Sequence, residues 1–150
     1  LNSFRAKEKQ PVDAEESDEI AASDKICELF GKVKALSGSV RVLIPQSIYS
    51  AACYETVEQF EKLGARVTLF PLSDKNHDAF AKEVANTDIL WIPDGNISYS
   101  FMSASLMHPS VESAINLLRR RRGIIYGSGS GFAALVMSGI MGIDLGKAGF

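Results

Sequence analysis

Gly123-Ile124-Ile125-Tyr126-Gly127-Ser128-Gly129-Ser130-Gly131-Phe132-Ala133-Ala134-Leu135-Val136-Met137 is the stretch that decides how this chain folds. A short apolar run enters five small residues and leaves as a helix pattern. Strand, glycine turn, helix is the setting of a nucleophile elbow, Gly-x-Ser-x-Gly, or of an anion-binding turn. The two outer glycines of the elbow stand at Gly127 and Gly131, and Gly129 takes the place of the serine.

Working back from that turn, three more apolar runs precede it, each ended by a proline: Val40–Ile44 before Pro45, Arg66–Phe70 before Pro71, and Ile89–Ile92 before Pro93. Helical patterns separate them. One runs to Leu63, with Cys53, Val57 and Phe60 on one face and Gly64 at its close; the others are Asp78–Asn86 and Pro109–Leu118. Four strands alternating with helices imply right-handed crossovers and a parallel sheet. Near-continuous apolar strands imply that both sheet faces are covered. The expected fold is therefore α/β, a three-layer, doubly wound, flavodoxin-like parallel sheet of order 2-1-3-4. Ligands of such sheets sit beyond the carboxyl ends of the strands. Three loops meet there: Pro45–Ser50, Pro93–Ser98 and Gly127–Gly131.

Ahead of the sheet, Asp24 is read as the cap of an N-terminal helix over 24–36, whose stripe is Ile26, Leu29, Phe30, Val33 and Leu36. Residues 1–23 read as an acidic, extended tail, with six acids against three bases and few apolar side chains to offset the ordering entropy. The α/β domain then spans 24–150. The fourth strand would be an apolar sheet edge, and such edges are normally paired or covered. The sheet is thus expected to be incomplete at its C-terminal edge, closed by a protein partner or by a segment beyond Phe150. A start at Leu1 fits a processed or truncated N-terminus.

Composition narrows the partners. The chain has 150 residues, a net charge of −2, 46% hydrophobic and 23% charged residues. That balance suits a globular domain and argues against nucleic acid. No apolar run reaches the roughly 18 residues of a membrane span. Cys27 and Cys53 are too few for a disulfide framework or a zinc site, and point to a soluble, intracellular chain. No cofactor motif is present: the turn lacks the Gly-x-Gly-x-x-Gly spacing and the lysine of a P-loop.

From Val40 to Gly142 the chain resembles the cyanophycinase and dipeptidase E family of serine peptidases, of the class I glutamine amidotransferase-like fold. The resemblance rests on Val42-Leu43-Ile44-Pro45, Phe60–Val67, Pro93-Asp94-Gly95-Asn96, and Tyr126–Gly131 with the helix to Met137. That family shows a Gly-Gly-Asp-Gln or Gly-Gly-Asn turn after the third strand and Gly-x-Ser-Ala-Gly at the elbow. Here Asp94 replaces the first turn glycine, Ile97 the glutamine and Gly129 the nucleophile. Both histidines, His77 and His108, precede the elbow, whereas the family's follows it; Asp144 stands where an acid partner would. The resemblance implies a hydrolase fold without its peptidase chemistry, because glycine has no oxygen to activate.

Other readings attach to the same residues. Ser128 and Ser130 are rescue nucleophiles, each one residue from the apex. Gly127, Ser128, Gly129, Ser130 and Gly131, with Gly95 and Asn96, form a candidate cradle for a small anion or nucleotide at a helix N-terminus. His108 is read as a helix cap, His77 as a surface-loop residue and Trp91 as core. Arg119–Arg122 reads as a solvated, dipole-matched last turn or a docking patch for an acidic partner. The loop Asn96–Met107, with Tyr99, Phe101, Met102, Leu106 and Met107, is apolar enough to contact a partner.

Overall fold

The computed structural model describes residues 14–47, 54–95 and 97–140. Four strands, β1 (Arg41–Ser47), β2 (Arg66–Leu72), β3 (Ile89–Ile92) and β4 (Ile124–Gly127), form one parallel sheet of order β2-β1-β3-β4. Six helices accompany them among the described residues: α1 (Ala14–Ser37), α2 (Tyr54–Lys62), α3 (His77–Asn86), α4 (Tyr99–Leu106), α5 (Pro109–Arg120) and α6 (Ser130–Met137). The expected class and strand order are those observed.

The strand order fixes the layers. The step from β1 to β2 runs one way across the sheet, and the steps to β3 and β4 run the other. Right-handed crossovers then put α2 on one face and α3 and α5 on the opposite face. α1 packs on α2, α3 on α5, and α4 on α6. All four residues of β3 and of β4 are buried. At the centre, Trp91 stacks on Tyr126 with ring centroids 4.2 Å apart and meets the edge of Phe60 at 5.3 Å. Burial lifts the Tyr126 phenol above its ordinary titration range.

Four expectations change. α1 begins at Ala14, ten residues before Asp24, so much of the presumed extended tail is helical. Ala14-Glu15-Glu16 are good helix formers, and acids suit the positive end of a helix dipole. Leu36, placed on the buried stripe, is 60% exposed. β1 continues through Pro45 and β2 through Pro71. Each tolerates proline because β2 is an edge strand and the β1–β3 ladder pairs only Val42 and Leu43 with Ile89 and Leu90. The segment read as an apolar loop contains α4. Ser98 caps that helix by accepting the Phe101 N–H, and Met102 and Leu106 are buried, so these two side chains belong to the core rather than to a partner contact. Residues 1–13, 48–53 and 141–150, and with them Cys53 and Asp144, lie outside the described residues.

One polar cluster ties the amino ends of the strands together. The buried Asp88 carboxylate accepts from the Arg41 backbone N–H at 2.8 Å and from its guanidinium twice at 3.1 Å. Arg121 lies 3.8 Å from the same carboxylate and donates to the carbonyls of Ala85 and Thr87. One arginine of the Arg119–Arg122 run therefore closes the end of α3 and does more than match a helix dipole. Asp88→Ala removes the shared acceptor and leaves the Arg41 N–H without it. A loss of about 2 kcal/mol is expected in urea unfolding, and a loss below a few tenths would contradict this role.

Candidate functional site

The candidate site lies at the carboxyl ends of β3 and β4, where two turns touch. β3 leads through Pro93 into Asp94 and Gly95, and β4 leads through Ser128 into Gly129 and α6. Gly127 and Gly131 are there for close approach. A Cβ on Gly127 would fall 2.8 Å from the Gly131 carbonyl carbon and oxygen, and one on Gly131 would strike the Ile92 backbone. Ser128 N–H donates to the Ile92 carbonyl at 3.2 Å, fastening the turn to the end of β3.

Gly129 sits at φ 55°, ψ −122°. This backbone is outside the ordinary left-handed helical well and strained for any residue with a side chain. It is the sharp strand-to-helix bend that an elbow requires. A Cβ placed on it would overlap the Asp94 carboxyl group, with Asp94 Cβ only 2.7 Å away. Thus Asp94 occupies the volume directly over the apex.

The carboxylate is also bonded there. Asp94 Oδ1 accepts the Ser130 N–H at 2.8 Å, and Ser130 Oγ accepts the Gly95 N–H at 2.8 Å. Gly129, the N-cap residue of α6, has no side chain to cap with, so the cap comes from the neighbouring turn. A carboxylate at a helix N-terminus is favoured by the dipole as well. The pair of bonds locks the two turns together, and Gly95 takes φ +76° to make its half.

The structure brings Gly95, Gly127, Ser128, Gly129, Ser130 and Gly131 into one place. Asn96 lies outside the described residues. Ile97 is buried in the core. Among the described residues neither imidazole bonds Ser128 or Ser130. His77 Nε2 lies 2.9 Å from Ser105 Oγ, and His108 Nδ1 lies 2.9 Å from Ser110 Oγ. His108 caps α5 as expected, accepting the Ser110 N–H at 3.4 Å. His77, expected on a surface loop, instead opens α3 half-buried, its ring stacked on that of His108 at 4.6 Å. No group of three or more His, Cys, Asp or Glu side chains suited to a metal occurs among the described residues.

The role of Asp94 was the feature missed from sequence. In sequence Asp94 and Gly129 belong to two separate turns; in space the Asp94 side chain fills the volume over Gly129.

No protein-family model matches the chain, and no curated protein does. Among solved structures the fold is similar to a leucine-binding protein, LivK, of Thermotoga maritima, with a TM-score of 0.52 and 16% identity over 81% of this chain. The match spans 34% of that protein's length. At this identity the likeness shows the parallel α/β fold. Among the described residues no helix is long and apolar enough to cross a membrane.

A double-mutant cycle tests this shared space. Gly129→Ser alone is expected to destabilise by more than about 2 kcal/mol, from backbone strain and overlap with Asp94. Asp94→Gly alone costs about 1 kcal/mol through the lost cap. The double variant should be more stable than the sum predicts, by about 1 kcal/mol or more in urea unfolding. Strict additivity would mean that the two positions do not share the space.

Proposed function

We propose that this chain is a catalytically silent relative of the cyanophycinase and dipeptidase E-type peptidases, serving as a structural or interaction subunit of a larger assembly. One observation carries the reading: the strained apex at Gly129 bears no side chain, and the Asp94 carboxylate fills the space above it. Acyl transfer needs an oxygen or sulfur nucleophile at such an apex and a base within hydrogen-bond reach. Ser130 is a poor substitute, because its hydroxyl accepts the Gly95 N–H and its own N–H is held by Asp94.

The interaction role draws on the sheet edge. β4 is apolar, pairs with β3 on one side, and has no strand on its other side among the described residues. Leu117 of α5 and Val136 and Met137 of α6 are exposed large apolar side chains. A protein partner or a further segment would cover the open β4 edge.

A small-ligand role is the second reading. The leucine-binding neighbour is a binder by its name, but its likeness to this chain is one of fold. Against an anion or nucleotide on the glycine turn stands Asp94, which already supplies negative charge to the α6 N-terminus.

Two measurements test the proposal. A fluorophosphonate probe should leave Ser128 and Ser130 unlabelled in peptide mapping, and stoichiometric labelling of either would restore a hydrolase. Light scattering on the 150-residue chain should give a mass above the 16.3 kDa of one copy, or aggregation. A stable monomer at high concentration would contradict the subunit role.

A further inference from the structure

His77 and His108 are 31 residues apart in sequence, yet their rings stack at 4.6 Å with planes 20° apart. His77 is the first residue of α3 and His108 the N-cap of α5, so two positive helix ends converge on the pair. α4 joins from the side: its Ser105 hydroxyl lies 2.9 Å from His77 Nε2, and its Phe101 ring lies 6.2 Å from the His77 ring. Three helices thus meet on two imidazoles.

We infer that the His77–His108 stack is a pH-sensitive latch holding α4 against the amino ends of α3 and α5, closed while His77 is neutral and released as it gains a proton. The bonding of His108 supports this. Its Nδ1 faces both the Ser110 N–H at 3.4 Å and the Ser110 Oγ at 2.9 Å; a proton added at Nδ1 would end its acceptance of the N–H that caps α5 and leave the hydroxyl as its partner. Two cationic rings stacked at this distance would repel each other, and both helix dipoles would oppose them.

The charged surroundings only partly offset this. Burial, then His108, pushes the His77 imidazole below its ordinary range, while Asp74 and Asp78 pull it back up. Lys75 lines the same open depression, and Glu112 stands in the first turn of α5. α4 faces the pair with the neutral Ser105 and Phe101. The sign follows from proton binding. A base held neutral in the fold binds fewer protons there than in the unfolded chain, so its stabilisation is complete above the unfolded value of about 6.5 and is lost as pH falls below it.

Two experiments on the full chain test the latch. Proton NMR of the two imidazoles should show His77 titrating below the ordinary value, and His108→Asn, which keeps a cap acceptor, should move it upward. The thermal midpoint should fall between about pH 7 and pH 5, and that fall should shrink by about half or more in His108→Asn and in His77→Gln. Amides of α4 should exchange faster at the lower pH after correction for intrinsic rates. Titration of His77 at or above the ordinary value in the wild type would overturn the latch whatever the variants do. So would an equal fall of the midpoint in all three proteins.

Discussion

A single carboxylate, that of Asp94, holds together the most unusual part of this structure. It caps α6 across a gap between two turns and fills the hollow over Gly129. Without it the α6 N-terminus would lose its anionic cap, since Gly129 cannot supply one. With it, the bend is a closed structural joint. The two outer glycines serve the same joint by letting the start of α6 approach the end of β3. Each glycine of the motif therefore has a geometric reason to be there that requires no ligand.

The joint sits on a sheet whose order explains its position. Parallel strands bring their carboxyl ends to one side, and β3 and β4 are neighbours. Their following turns must therefore meet, and what they present to each other decides the chemistry. In an active hydrolase such a meeting point would supply a nucleophile beside oxyanion donors. Here it supplies a carboxylate beside a bare backbone. At the opposite end of the strands, Asp88 plays a comparable part with Arg41 and Arg121. Both ends of the sheet are thus pinned by an aspartate that reaches across to another element.

Much of this was legible in the sequence, and the rest was not for definable reasons. The strands announce themselves as apolar runs between breakers, and their alternation with helices implies a parallel sheet. Proline was a misleading stop at Pro45 and Pro71, because it breaks a ladder only where its N–H is needed. The Ser-rich stretch of α4 has ordinary helix propensity at best; burial of Met102 and Leu106 decides it, and burial is a tertiary fact. The elbow glycines were visible, but not that Asp94 lies over Gly129, because contact between residues 35 apart leaves no local signal. The same holds for His77 and His108.

An electron-density map at the β4–α6 turn, from crystals of the full chain soaked in phosphate, tests the Asp94 joint most directly. The expected map shows Asp94 Oδ1 on the Ser130 N–H and no ion over Gly129. A phosphate seated on the N–H groups of residues 129–131, with Asp94 swung aside, would contradict it, as would a serine Oγ there in contact with an imidazole.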